Sequence, residues 1–419
     1  MKKFNFPFTV KDIDEAAARI NGIAKNTPLI KSKILSGQFG ADIYVKREDL
    51  QKIRSYKIRG SYNLMRSLSD KERAKGVICA SAGNHAQGVA FNASMLEINA
   101  AICMPVKTTL QKIQRVKQFG GKWVEIKLIG KTFDEAYKAA EKQSKQTGAI
   151  FVSAFDDYRV IAGQGTIAKE LVEELGDTID YVLCPIGGGG LISGIGVYLK
   201  SMLPKVKLIG VEPLGAASMD KSFKEGKVTP LEQIDNFVDG AAVGTVGQKT
   251  FAIAKEVVDE ILVVPEGKVC TIMIDLYQNE GVIAEPAGAL SISALDLIKH
   301  RIKGKTVVCI LSGGNNDILR YPEILERSLV YLGRKHYFLV EFPQKPGQLR
   351  QFVDKALGPT DDIVRFEYIK KSSKETGPAL IGIEQENKED FNSLIKRMDK
   401  LQISYKVLKP SDPFYSYLL

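Results

Sequence analysis

A chain of 419 residues exceeds one typical domain and is long enough to bury large cores. Its 59 basic residues outnumber 49 acidic ones, but the charges are dispersed, with 15 basic and 12 acidic residues from Tyr331 onward, which argues against a nucleic-acid groove and for a solvated basic surface. The N-terminus, Met-Lys-Lys-Phe-Asn-Phe-Pro, lacks an apolar signal core and no stretch is apolar over the roughly 18 residues of a membrane span, so a cytoplasmic location is expected.

In chain order, Ile43 to Leu50 turns from apolar strand to charged loop and leads into Ser55-Tyr56-Lys57-Ile58-Arg59-Gly60. Lys57 stands there between an aromatic residue and a glycine, a setting that suits an imine-forming lysine, although a solvated lysine fits the hexapeptide too. Residues 76–80, 100–104, 122–126, 149–153, 181–186, 206–211, 261–264 and 306–311 are short β-branched-rich runs, and amphipathic helical patterns separate most of them. That alternation predicts an α/β fold with parallel sheets, in two lobes.

Several of these runs end in turns that carry chemistry. Ser81-Ala82-Gly83-Asn84-His85-Ala86-Gln87-Gly88 reads as a tight turn and helix start after a strand, aiming backbone N–H groups at an anion such as a carboxylate. The plainer reading is an ordinary βα loop capped by Ser81 or Asn84. Gly187-Gly188-Gly189-Gly190, followed by Leu191-Ile192, lets the backbone curl around a phosphate at a helix start. A dinucleotide site is the competitor, with Glu212 placed about where a ribose-binding acid would be. No G-x-G-x-x-G fits Gly187 to Gly196, however, and a Walker-type lysine is missing. Glu285-Pro286-Ala287-Gly288-Ala289 and Ser312-Gly313-Gly314-Asn315-Asn316 complete the set. All five cysteines, at 79, 103, 184, 270 and 309, sit in or beside apolar runs without C-x-x-C spacing, and the three histidines are far apart. Packed, reduced thiols and no zinc cluster are expected.

Taken in this order, Lys46-Arg-Glu-Asp-Leu-Gln51, Ser-Tyr-Lys-Ile-Arg-Gly, Ser-Ala-Gly-Asn-His-Ala-Gln-Gly, the glycine loop, Glu-Pro-Ala-Gly-Ala and Ser-Gly-Gly-Asn resemble the threonine dehydratases. These are pyridoxal 5'-phosphate enzymes of the tryptophan-synthase β-subunit fold type. The resemblance runs from about Asn26 to Tyr321, and the remainder looks like the regulatory domain of the short biosynthetic form. It implies that Lys57 is the cofactor's lysine and that Tyr56 stands where phenylalanine is common. It places Asn84 at the ring hydroxyl, Gly187, Gly188, Gly189, Gly190 and Leu191 at the phosphate, and Ser312 at the ring nitrogen. Ser81, Ala82, Gly83, Asn84 and His85 fall on the loop that binds the substrate carboxylate. It further implies L-threonine as substrate and a homo-oligomer, a tetramer.

A serine at the ring nitrogen does not keep that nitrogen protonated, so long-lived carbanions and transamination are disfavoured and prompt β-elimination is favoured. Lys57, once displaced, is the natural base for Cα. The leaving hydroxyl has no obvious acid among these residues; the resemblance gives that role to the cofactor phosphate. Serine racemases of this fold carry a serine where this chain has Ala82, which cannot move a proton. Some relatives bind a divalent cation through acids in the stretch resembling Glu212 to Ser218, where only Glu212 is acidic here, so no metal site is expected.

A linker near Arg327 to Lys335 is expected to end the catalytic unit, residues 1–330. His336–Phe342, Gln348–Ala356, Val364–Ile369, Ala379–Gln385, Phe391–Lys400 and Tyr405–Leu408 then spell β-α-β-β-α-β, a ferredoxin-like module over 335–410. It resembles the ACT-type domains that bind amino acids, with Pro346, Gly347 and Leu349 at the turn where ligand contact is common. Isoleucine, with valine as an opposing ligand, is the implied effector, and a purely structural dimerisation module is the alternative. Three functions stay open: a biosynthetic threonine dehydratase, a serine dehydratase or other β-elimination or β-replacement enzyme, and a non-catalytic amino-acid sensor.

Overall fold

The computed structural model describes residues 4, 6–368, 375–409, 412, 413, 415 and 418. Its fourteen strands are β1 (Leu29–Lys31), β2 (Asp42–Arg47), β3 (Val77–Ala80), β4 (Ala100–Met104), β5 (Val124–Leu128), β6 (Ile150–Phe151), β7 (Tyr181–Pro185), β8 (Lys207–Pro213), β9 (Glu260–Val264), β10 (Thr306–Leu311), β11 (Lys335–Pro343), β12 (Asp362–Tyr368), β13 (Thr376–Glu384) and β14 (Ser404–Leu408). The chain divides into two compact units, Met1–Asn316 and Asp317–Leu419.

The first unit holds two sheets. The larger runs in the order β1-β2-β10-β7-β8-β9, parallel throughout except for the short antiparallel edge strand β1. The smaller, β5-β4-β3-β6, is all parallel. Helices cover both faces of such sheets, so their central strands are apolar without alternation; every residue of β3, and Val307 to Leu311 of β10, is buried. The expected strand over 122–126 begins two residues late, because Gly121–Trp123 forms a 3₁₀ turn started by Gly121 at φ 52°.

Three helices stack where the two sheets meet: Lys57–Arg66, Tyr158–Leu175 and Gly190–Met202. Their backbones touch. A Cβ on Gly163 would lie 2.4 Å from the Arg59 carbonyl oxygen, and one on Gly194 would lie 2.3 Å from that of Ile161. The helix carrying Lys57 and the helix following the glycine loop are thereby held at fixed distance through the middle one.

That stack is also pinned by a buried ion network. Arg59, with no exposed surface, donates to both carboxylate oxygens of Glu48 at 2.8 and 2.9 Å and to Glu170, while Lys46 pairs with Glu170 at 2.6 Å. Thr27 and Thr166 take up further polar atoms of the same cluster. Such a network in a low-dielectric interior is tolerable only when each charge is answered.

The second unit is an antiparallel sheet, β12-β13-β11-β14, with helices Gln348–Lys355 and Asp390–Lys400, in chain order β-α-β-β-α-β as expected from the sequence. Strand β12 spans Asp362–Tyr368; the last residue of the strand expected there, Ile369, lies outside the described residues. The linker expected over Arg327–Lys335 is mostly helix instead. Tyr321–Tyr331 is helical, the Tyr337 hydroxyl donates to Glu326 at 2.8 Å, and Val330 packs on buried Tyr337, Leu408 and Tyr415. Lys335 pairs with Glu326 at 2.5 Å and Arg327 with Glu323 at 2.9 Å, so this segment is tied into the second unit.

Candidate active site

Lys57 is the first residue of its helix and follows a loop clamped to the turn after β10. Ser55 bridges Gly313, and the Tyr56 N–H donates to the Ser312 carbonyl at 3.2 Å. The lysine keeps some surface open, but its amine is desolvated: burial pushes it down to about 8, against the opposing pull of Glu285. It donates to the Ala154 carbonyl at 3.1 Å and lies 5.0 Å from the centre of the Tyr56 ring.

Asn84 opens the helix Asn84–Leu96. Its Nδ2 donates to Glu285 Oε1 at 2.7 Å, and its Oδ1 accepts from Asn315 Nδ2 at 2.7 Å, which also donates to the Ile53 carbonyl. The loops after β3 and β10, the helix start at Glu285 and the lysine loop therefore converge on one amide. Glu285 is pushed up to about 7 by burial and the neighbouring Asp239 carboxylate, offset by Asn84, the Asn315 N–H and Lys57. Ser312 is buried at the end of β10 and donates to the Ala287 carbonyl at 3.2 Å.

The glycine loop is built from backbone because nothing larger fits. A Cβ on Gly188 would stand 2.2 Å from the Phe155 ring, and Gly189 takes φ 91°, a left-handed conformation that side chains resist. The Gly188 carbonyl is tied to a neighbouring helix, since Thr250 Oγ1 donates to it at 2.7 Å and Asp156 Oδ1 holds the Thr250 N–H at 3.1 Å. No side chain caps the helix that begins at Gly190, so its first N–H groups and its dipole are presented to an anion. Gly187 packs on Ala241, and Leu191 turns into the large core.

The side chains of residues 81–85 are engaged within the protein. The Ser81 hydroxyl accepts from its own turn, the Gly83 N–H at 3.1 Å, and Ala82 packs against the smaller core. His85 is buried, its Nε2 bonded to the Val152 carbonyl at 2.8 Å, and burial together with Lys57 pushes it down to about 3. The neutral ring ties the start of this helix to the segment after β6. No side chain caps this helix at Gly83 either. Glu212 is spent as a helix cap: its two oxygens accept from the Met219 and Asp220 N–H groups at 2.8 and 2.7 Å.

Reading the sequence missed the segment after β6, where the Val152 carbonyl holds His85, the Ala154 carbonyl holds Lys57, Phe155 floors the glycine loop and Asp156 ties it to Thr250. It also assigned no role to Asn315 or to Glu285 itself.

Comparison with known proteins bears on this arrangement. Residues 20–313 match the family model of pyridoxal-phosphate dependent enzymes, and residues 326–418 match the C-terminal regulatory domain of threonine dehydratase. A biosynthetic L-threonine dehydratase of Halalkalibacterium halodurans is 47% identical over 410 residues, covering 98% of this chain and 99% of that one. The chain belongs to the threonine dehydratase family. The processed form of threonine deaminase isoform 2 from Solanum lycopersicum superposes with a TM-score of 0.73 at 40% identity, covering 78% of this chain and 91% of that one. Maize serine racemase follows at 0.71 and 29% identity, over 78% of this chain and 99% of that one.

A pyridoxal-phosphate enzyme of this family needs a phosphate cradle, a desolvated amine and an uncharged partner for the ring nitrogen. The residues here fit. The cradle offers N–H groups with the Gly188 carbonyl tied back, burial pushes the Lys57 amine down to about 8, and Ser312 brings a hydroxyl. Two buried polar atoms beside these groups, Ser55 Oγ and Gln164 Oε1, have no hydrogen-bond partner among the described residues.

Proposed function

We infer that this chain converts L-threonine to 2-oxobutanoate and ammonia, the entry step of isoleucine synthesis, in the cytoplasm and as a homo-oligomer, a tetramer. The observation that carries the reading is Lys57, an amine pushed down to about 8 and standing among Ala154, Tyr56 and Glu285 at the end of a glycine-built anion cradle. Pyridoxal phosphate, when bound, supplies the electron sink that makes a Cα proton of the substrate acidic. Gly187 to Leu191 would hold its phosphate, Asn84 its ring hydroxyl and Ser312 its ring nitrogen.

The remaining steps belong to the chain. As a free amine, Lys57 takes the Cα proton, and its lowered pKa leaves part of the population unprotonated near neutral pH. Backbone N–H groups of the turn at Ser81 to His85 orient the substrate carboxylate without adding a charged side chain. Ser312 supplies a hydroxyl and no negative charge, which favours prompt loss of the β-hydroxyl. Ala82 offers no proton on the face opposite Lys57, so the product is an oxo acid and not the mirror-image amino acid.

Incubating the purified enzyme with threonine, and separately with serine, and trapping 2-oxo acids as hydrazones tests the reading. 2-Oxobutanoate formed from threonine is the expected result. Pyruvate from serine alone would make the chain a serine dehydratase, and no oxo acid from either would make it a sensor.

The C-terminal unit is the regulatory element, with isoleucine as inhibitor and valine as opposing effector. Gly347, at φ 86°, turns the chain into the helix Gln348–Lys355 and leaves Leu349 exposed beside Pro346, an apolar contact for a branched side chain.

A further inference from the structure

Gln164 lies on the helix Tyr158–Leu175, only 1% exposed, at a place where three parts of the site meet. Its Nε2 donates to the Ala154 carbonyl at 3.3 Å, the same oxygen that accepts from Lys57 at 3.1 Å. Its Cγ would be 3.1 Å from a Cβ on Gly60, one turn along the lysine's helix, and its Oε1 2.6 Å from a Cβ on Gly190, the first residue of the helix after the glycine loop. A backbone carbonyl can only accept, so the amide must present its NH₂ group to Ala154, which fixes Oε1 toward Gly190. That oxygen has no hydrogen-bond partner among the described residues. Burying an unanswered amide oxygen is costly, and hydrophobic packing alone would be served better by methionine or leucine.

We propose that Gln164 is a positioning residue for Lys57: its amide occupies one side of the Ala154 carbonyl, weakening that oxygen's hold on a lysine ammonium and keeping the lysine a free base. The physical ground is competition for one acceptor. A hydrogen bond from an ammonium is about twice as strong as one from a neutral donor, so an unshared carbonyl would stabilise the charged lysine more than the neutral one. A second donor on the same oxygen reduces that difference. The remaining groups that face Lys57 are fixed in character: the Glu285 carboxylate pulls toward the ammonium, His85 is neutral and buried, the Tyr56 ring lies alongside, and Asp239 acts on Glu285. Gln164 is the element of this surround that favours the free amine by hydrogen bonding. The proposal rests on the role given to Lys57 above, since a free amine at that position matters only if it serves as a base.

The test compares full-length enzyme stripped of cofactor with Gln164→Met and Gln164→Glu, after circular dichroism and melting show each to be folded. Trace acetylation across neutral to alkaline pH, read by mass spectrometry on the peptide containing Lys57, gives the pH at which that amine becomes reactive. Exposed Lys71 serves as internal standard. Methionine removes the competing donor and should move the Lys57 midpoint upward. Glutamate keeps the shape but places a charge within reach of the same carbonyl, and should move it further, by about 1–3 pH units. A residue that merely fills space would alter melting or cofactor affinity and leave the midpoint in place. Should Met not fold there, Gln164→Leu takes its place as the donor-free variant, with glutamate as the control that the readout responds to charge, and an unchanged midpoint in the folded donor-free variant overturns the proposal. Absence of oxo-acid formation by the parent enzyme would instead defeat the functional reading, while the midpoint comparison would still stand.

Discussion

The role of Lys57 is separable from that of the glycine loop, because the amine and the cradle sit on different segments of the chain. Lys57→Ala is therefore expected to abolish oxo-acid formation while the protein still binds pyridoxal phosphate non-covalently. Equilibrium dialysis beside the turnover assay checks both halves, and turnover above trace would remove the lysine from the mechanism. Glu285 carries a second residue-scale consequence. Its folded pKa, about 7, lies above the ordinary carboxylate value, so the folded state prefers it protonated. Stability then falls as pH rises from the unfolded carboxylate range toward 7, and levels off above it. Glu285→Gln keeps an acceptor for Asn84 and cannot ionise. In cofactor-free protein the difference in melting temperature between mildly acidic and mildly alkaline buffer should shrink in that variant; an unchanged difference would place the proton elsewhere, Glu212 being the other buried carboxyl pushed up, to about 8.

At the scale of elements, the helix Lys57–Arg66 is anchored by Arg59, whose buried guanidinium answers the buried Glu48 and the mostly buried Glu170. Removing one partner leaves the others charged and buried, at a cost of about 3–5 kcal/mol. Arg59→Ala should lower the unfolding free energy of the whole first unit by that order in urea titration, and a loss under 1 kcal/mol would mean that the network relaxes into water. Much of this architecture could be read from the sequence, for an identifiable reason. Central parallel strands such as Val307–Leu311 are unbroken apolar runs, and the groups at their carboxyl ends sit in glycine-rich turns that stand out. Strand β1 escaped notice because Leu29–Lys31 is short and shows no long apolar run. Phe155, Asp156, Thr250 and Gln164 escaped because nothing local marks them; each acquires its role only from what packs against it. His85 was read as part of the carboxylate loop, and the Val152 carbonyl that claims its ring cannot be foreseen from spacing. The linker expected near Arg327 is helical through Tyr331 for a similar reason, since Glu326 finds Lys335 and Tyr337 only once β11 has folded.

For the molecule as a whole, control by isoleucine requires that the effector bind two states unequally, since equal affinity shifts nothing. Coupling of about 1–3 kcal/mol would raise the half-saturating threonine concentration roughly 5- to 150-fold. Leu349→Glu should abolish that response without changing saturation in the absence of isoleucine, as threonine titrations of both proteins would reveal. A variant still inhibited to the same degree would move the effector site off this turn. The order of strands in the larger sheet has a further outcome during synthesis. Strands β3 to β6 are contiguous in sequence and complete the smaller sheet early, whereas β10, which must slot between β2 and β7, is the last strand of its sheet to leave the ribosome. At roughly 5–20 residues per second, the inner edges of β2 and β7 stay unpaired for on the order of ten seconds while the intervening chain is made. The nascent chain thus carries two apolar strand edges that it cannot cover by itself, and slowing translation between β7 and β10 should increase its dependence on chaperones.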